Sequence, residues 1–318
     1  MNRRDFLTLA PVLAAAACTS APKRLTRAQV AFITDEYSAD LAEAIAFAQE
    51  FAVPLVEIRG LWGTYAILLP PERLKEARRM LDDAGLRCCA LSTPLLKCLA
   101  PGFEPVERVL FDIGEAAKSF PIPTEEQFAR SGEILDRSIE AASILGCDIV
   151  RCFSFWRTAD APSAYPLLLE KLDELAPAAE RAGIRIGMEN EHACNVADCA
   201  EAMQVLPKAP RNVGLLWDVL NGASTGETPY PDGYAKLAKS RLFHVQLKDA
   251  DLSQGAERFV YRAVGQGDMP YADIFRALAA DGYSGAVSME THFSLDGSGS
   301  RKEASRLSMQ GILRALEE

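Results

Sequence analysis

Four residues in the second half of the chain stand where apolar runs meet side chains that bind cations or move protons. Glu189 follows "GIRIGM", Asp218 follows "VGLLW", His244 lies within "LFHVQL" and Glu290 follows "GAVSM". They are spaced 29, 26 and 46 residues apart. Three carboxylates and an imidazole turned towards one point would repel each other without a divalent cation among them. An oxygen-rich set with one His suits Mn, Mg or Co, and admits Zn. Each residue alone has a plainer explanation. A Glu or Asp after a strand is commonly a loop or helix-capping residue, and a His in an apolar run is commonly a hydrogen-bonded core residue. Four of them at matching places make a site the better reading.

Other polar residues sit at the same kind of junction. Glu57 and Arg59 end "PLVEIR", ahead of "GLWG" with Trp62, and Arg151 and Phe153 end "DIVRCF". Asn221 falls three residues after Asp218. Lys248 and Asp249 follow "HVQL" directly, and an exposed ion pair and a place in the site are equally good readings of them. Glu191, His192 and His292 lie further out on the same segments, as supporting or surface groups.

These side chains must be positioned by an alternation of short β-branched runs and amphipathic helical patterns. Strands are expected at 29–34, 54–59, 87–92, 148–153, 183–188, 213–217, 242–247 and 285–289. Helices are expected at 38–51, 71–85, 124–145, 163–182, 196–205, 233–239, 271–282 and 301–317. In the first of these, Leu41, Ala44, Ile45 and Ala48 recur at helical spacing. Eight strand–helix units in 318 residues predict an α/β fold, a (β/α)8 TIM barrel. Such a barrel carries its active site at the C-terminal ends of the strands. Spacings near one βα unit then bring Glu189, Asp218, His244 and Glu290 to successive positions at the mouth. The extra length before Glu290 is the loop at 249–270. A doubly wound sheet is the weaker alternative, because the first turn lacks G-x-G-x-x-G.

Net charge is −10, with pI near 5.0. That surplus of acid argues against nucleic acid as a partner, since binding phosphates takes Lys and Arg. Cys88, Cys89, Cys98, Cys147, Cys152, Cys194 and Cys199 show neither disulfide nor metal spacing and read as small buried hydrophobes. The start, "MNRRDFLTLAPVLAAAAC", resembles a twin-arginine export signal, with Arg3 and Arg4 ahead of Phe6 and Leu7. Its apolar part, residues 7–17, falls short of the about 20 residues that cross a bilayer, so no transmembrane span is expected. Residues 1–25 are assigned to the signal and 26–318 to the barrel. Cys18 is a candidate lipid anchor, with plain cleavage after Ala-x-Ala as the competing reading. The mature chain is expected in the periplasm, or anchored to a membrane and facing it.

Together, "EN" after the fifth strand, "GLLWD", "HVQLKD", "VGQGDMP" and "VSMETH" resemble the sugar phosphate isomerase/epimerase superfamily with the xylose isomerase-like TIM barrel, over roughly residues 28–317. That superfamily includes ketose 3-epimerases, hydroxypyruvate isomerase and inosose dehydratase. The resemblance implies one divalent metal (Mn, Co, Mg or Zn) held by Glu189, Asp218, His244 and Glu290, with the two Glu also acting as acid and base. Glu57 and Trp62 would line a sugar pocket, and Arg59, Arg151, Asn221, Lys248 and Asp249 complete the expected substrate contacts. Two positions depart from the ketose 3-epimerases. Asn221 stands where they carry His, and "LKD" follows His244 where a loop Arg is expected.

A metal-polarised carbonyl acidifies the neighbouring C–H, and a carboxylate can remove that proton. Its return to the same carbon is epimerisation, to the next carbon isomerisation, and loss of a β-substituent is elimination. Sugar phosphates are cytoplasmic, and the chain shows no basic phosphate cradle. A metal-dependent isomerase or epimerase of a non-phosphorylated keto-sugar is therefore expected. The alternatives are a metal-dependent 3-keto-glycoside lyase and a non-catalytic sugar-binding lipoprotein; homo-oligomerisation is left open. Replacing Arg3 and Arg4 together with Lys should retain the protein in the cytoplasm. Cell fractionation that finds this variant exported normally would count against the twin-arginine signal.

Overall fold

Residues 24–255, 259–295 and 301–318 are described in the computed structural model; Arg3, Arg4 and Cys18 lie outside them. Eight parallel strands make one sheet: β1 (Val30–Phe32), β2 (Leu55–Ile58), β3 (Arg87–Leu95), β4 (Ile149–Cys152), β5 (Arg185–Glu189), β6 (Val213–Asp218), β7 (Leu242–Leu247) and β8 (Val287–Met289). Their spatial order is β1-β8-β7-β6-β5-β4-β3-β2. A parallel bridge from Ile33 to Glu57 brings β1 back beside β2 and closes the ring. The chain thus forms the (β/α)8 barrel that the alternation predicts.

The surrounding helices are α1 (Leu41–Phe51), α2 (Pro71–Asp83), α3 (Leu110–Ser119), α4 (Ser131–Leu145), α5 (Tyr165–Arg181), α6 (Cys199–Val205), α7 (Tyr271–Ala280) and α8 (Arg301–Glu317). Local chemistry sets their limits. Asp40 caps α1 by accepting from Ala42 N at 2.8 Å, and Asp198 caps α6 by accepting from Glu201 N at 2.7 Å. Gly146 ends α4 at φ +77°, a left-handed turn that suits glycine.

Strand alternation sorts the side chains into two layers. Val56, Val150, Met188, Trp217, Val245 and Met289 point outward and join the helices in one continuous apolar core. Along the barrel axis the inward side chains change character. Ala31, Leu55 and Ala286, with Cys89 against them, plug the end where the strands begin. Next comes a buried polar layer of Glu57, Ser92, His244, Gln246 and Ser288. At the C-terminal ends lie Arg151, Glu189, Asp218, Lys248 and Glu290, also buried. The cysteines read as buried hydrophobes are buried, apart from half-buried Cys89.

Three segments differ from the sequence expectation. The helix expected at 233–239 is a single short turn, Tyr234–Lys236. α3 occupies a stretch read as loop; its Ile113 and Ala116 pack inward, but Leu110 and Phe111 are 52% and 74% exposed, which blurs the apolar stripe. α4 starts at Ser131 instead of 124, because the residues before it form turns in which Glu126 N and Gln127 N donate to Pro123 O.

α8 closes on the segment after β7, where Gly311 meets backbone. A Cβ at that position would stand 1.6 Å from Val264 O. Gly311→Ala must therefore push helix and loop apart, at a cost of about 1–3 kcal/mol. Urea denaturation checks this; an unchanged midpoint would show that the helix can shift freely.

Candidate active site

Glu189 ends β5, Asp218 ends β6, and Glu290 follows β8 directly. Each offers a carboxylate oxygen within 4.8 Å of the other two. Asn190 helps fix this arrangement by tying β5 to β6. Its Oδ1 accepts from Asp218 N at 2.8 Å, and its Nδ2 donates to Asp218 O at 3.0 Å. Asp218 Oδ1 accepts from Leu220 N and Asn221 N, both at 3.0 Å. Oδ2 is left facing the cluster.

Cations surround the three carboxylates. Lys248, the residue after β7, places Nζ 3.0 Å from Asp218 Oδ2 and 2.9 Å from Glu290 Oε2. Arg151 Nη1 donates to Glu189 Oε2 at 2.9 Å. Arg59 Nη1 lies 3.7 Å from Glu290 Oε1, while its other nitrogens hold Asp35 and Glu36. Asn221 Nδ2 donates to Asn190 O at 2.9 Å, with Glu191 Oε2 at 3.2 Å and Glu189 Oε1 at 3.4 Å.

These surroundings push the two glutamates apart. Burial, with Glu191 and Glu290 nearby, raises Glu189 to about 8 although Arg151 pulls the other way. Burial also acts to raise Glu290, but Lys248 and the hydrogen bond from His292 outweigh it and hold that carboxyl well below its ordinary range. Burial raises Asp218 despite Lys248. Lys248 is held well above its usual value, because Asp218, Glu290, Glu191 and Glu189 outweigh its burial.

A cavity of about 780 Å³ lies beside the cluster, and Arg59, Lys97, Trp156, Glu191, His192 and His292 are among its lining residues. Arg59 and His292 touch both the cavity and Glu290, with His292 Nε2 3.5 Å from Glu290 Oε1. Arg59 and His292 thus link the chamber to the cluster, whose three carboxylates are not among its lining residues.

The model of the xylose isomerase-like TIM barrel family matches residues 45–314. The chain belongs to that family. Solved structures share its fold. D-psicose 3-epimerase in the presence of D-fructose is 17% identical over 91% of this chain and 97% of that one, with TM-score 0.65. The 3-keto-D-glucoside 4-epimerase of E. coli is 15% identical over 88% and 98%, with TM-score 0.61. The IolI protein, solved with a zinc atom, is 16% identical over 91% and 98%, with TM-score 0.66. A comparison with curated protein sequences returned no match.

Within this xylose isomerase-like barrel, the expected site residues do not all meet. His244 is the main departure. Strand pairing sets Leu216 opposite His244 and Asp218 opposite Gln246, so the imidazole lies one inward position below Asp218. There His244 Nε2 contacts Glu57 Oε2 at 2.9 Å. Glu57 belongs to the same layer and is fully buried. Its carboxylate also takes hydrogen bonds from Gln246 Nε2 at 2.8 Å and from Ser92 Oγ. Burial acts to raise Glu57, but His244, Ser288 and Ser92 pull it down to about 2. Glu57 therefore braces the barrel interior and does not line the cavity.

Trp62 is also absent from the cavity wall. Its ring takes the Arg73 guanidinium 3.8 Å from its centroid, and Trp156 is the indole that lines the chamber. Asp249 is a loop clamp, accepting from the backbone N–H of Ala250, Gly265, Gly267 and Met269 at 2.8–3.1 Å. Arg59, Arg151, Asn221 and Lys248 do reach the cluster. Sequence reasoning missed Lys97, whose Nζ lies 3.3 Å from Glu191 Oε1, and Gln246. Only the parity of β7 against β6 could have singled out Gln246.

The fit to a divalent ion rests on the three carboxylates. Asp218 Oδ2 and Glu290 Oε2 are buried acceptors that no donor among the described residues meets in good hydrogen-bonding geometry. Such oxygens suit a hard cation. For Glu57, truncation to Ala would leave its buried donors and His244 unpaired. Glu57→Ala should lower stability by about 3–5 kcal/mol, as for other broken buried pairs. Chemical denaturation reads this directly; a folded, equally stable variant with altered sugar binding would instead restore Glu57 to the substrate pocket.

Proposed function

We propose that the chain is an isomerase or epimerase of a non-phosphorylated keto-sugar, working by proton transfer through Glu290 and Glu189. The observation that carries this reading is the meeting of three buried carboxylates within 4.8 Å of one another, with a chamber of about 780 Å³ linked to them through Arg59 and His292. A divalent ion bound by Glu189, Asp218 and Glu290 would polarise the sugar carbonyl and acidify the adjoining C–H.

The chain's own groups divide the proton work. Glu290, whose carboxylate also faces Arg59 and His292, accepts the proton from carbon as general base. The electron pair moves into the carbonyl to give the enediolate. Glu189, the second glutamate of the cluster, carries the other proton transfer and returns a proton to carbon. Arg151 and Asn221 hold its two oxygens and so aim it. Return to the original carbon from the other face gives the epimer, and return to the neighbouring carbon gives the isomer.

Charge pairing around the chamber favours a neutral substrate. Arg59, Lys97, Lys118 and Arg301, which line it, each already face a carboxylate. A phosphate would have to break one of these pairs. Export by the segment around Arg3 and Arg4 is proposed on the same footing, and places the enzyme away from cytoplasmic sugar phosphates.

Incubation with keto-sugars and 3-keto-glucosides in D2O, read by NMR, tests the reading. The wild type should place deuterium α to the carbonyl. Glu189→Gln and Glu290→Gln should each reduce turnover on the order of 10²–10⁴-fold, the usual loss for a removed general acid or base. Undiminished turnover in both would end the two-carboxylate mechanism. A new double bond or a released aglycone would identify a lyase instead.

A further inference from the structure

We propose that the Lys248 ammonium is the resident cation of the carboxylate cluster, and that a divalent ion enters by displacing it. The site then exchanges one cation for another and does not hold an ion permanently. This inference deepens the reading above and rests on its ion site.

The ammonium occupies the place where an ion would be held. Lys248 Nζ is 3.0 Å from Asp218 Oδ2 and 2.9 Å from Glu290 Oε2, the two oxygens that otherwise lack a donor in good geometry. Both partners and the lysine are buried, so water screens little of the attraction. A divalent ion on the same oxygens would stand within a few ångströms of the ammonium, where like charges repel strongly. Both cannot occupy the cluster together.

The backbone cannot carry the lysine away. Lys248 O accepts from the Tyr271 hydroxyl, and Glu290 N donates to Leu247 O at 3.1 Å. Next in sequence, the Asp249 carboxylate is fixed by four backbone N–H groups. Displacement must come from rotation of the side chain alone. A second seat is within reach, because Asn221 Oδ1 lies 3.5 Å from Nζ and the Glu191 carboxylate flanks Asn221.

The residue level with Asp218 on β7 strengthens the case. A histidine there would add a neutral nitrogen donor and favour an ion over an ammonium. The residue is Gln246, and its Nε2 is committed to Glu57 Oε1 at 2.8 Å, below the cluster. What remains is a carboxylate set already balanced by Lys248, Arg151 and Arg59.

Calorimetric titration of the EDTA-stripped full-length protein with Mn²⁺ tests the exchange. Lys248→Met and Lys248→Gln should bind Mn²⁺ on the order of 10–10³-fold more tightly than wild type, since one buried like charge is removed. Their metal-free forms should melt at lower temperature than wild type and recover more on adding Mn²⁺. Asp218→Asn placed in either background should abolish the gain. If Lys248→Met does not fold, Lys248→Gln carries the test with a polar group of similar length. Equal or weaker Mn²⁺ affinity in a folded lysine variant, with binding still lost on Asp218→Asn, overturns the exchange and leaves the ion site standing. No Mn²⁺ binding by any folded variant removes the ion site itself, and the proposal with it.

Discussion

Lys248 lies within 3.0 Å of Asp218 and Glu290, all three of them buried, and the mouth of the barrel depends on that pairing. Three carboxylates this close, out of water, would drive each other to protonate or push the strand ends apart. One ammonium from the neighbouring strand end holds two of them, and Arg151 holds the third. The position of Lys248 follows from strand parity. β7 turns His244, Gln246 and Lys248 inward in succession, and only the third rises to the cluster. Asp249 then locks the chain just beyond, so the lysine is presented from a fixed backbone.

A second charged unit lies beneath the first. Barrel interiors are usually filled by branched aliphatic side chains. Here Glu57 sits at the ring's closure, opposite Ile33, and reaches side chains from β3 and β7. One carboxylate therefore links the strand that closes the ring to strands across its interior. The buried pair with His244 adds little net stability in principle, because desolvation offsets attraction. Its effect is positional. It fixes β2 against β7, and β7 carries Lys248.

The fold was legible because a parallel barrel writes each strand as a short apolar run with a helical pattern after it. Most strand and helix positions followed that rhythm; α3, with Leu110 and Phe111 outward, escaped it, and the helix expected at 233–239 shrank to Tyr234–Lys236. The site was legible where a residue ends a strand. Glu189, Asp218 and Glu290 stop an apolar run, and the barrel's topology makes those stops converge. His244 was misplaced because sequence spacing counts strands and not the level within a strand. Two residues on a strand shift a side chain by about 6.6 Å, enough to move an imidazole from one layer to the next. Trp62 and Lys97 were harder still. Their partners, Arg73 and Glu191, lie on other elements, and no local pattern announces such contacts.

The asymmetry between Glu189 and Glu290 bears on what the site can do. Glu290 has a lysine, an arginine and a histidine around it, and the latter two reach the open chamber. Glu189 has one arginine and three acidic neighbours, Asp218, Glu290 and Glu191, and is almost completely buried. Two identical carboxylates this close would share one proton without fixing which of them holds it. Unequal environments leave one base and one acid at the same pH, the condition for paired proton transfer. The strand order enforces this, because β8 brings Glu290 up beside Arg59 and Lys248 while β5 sets Glu189 against Arg151 and the Asn190–Asn221 clamp.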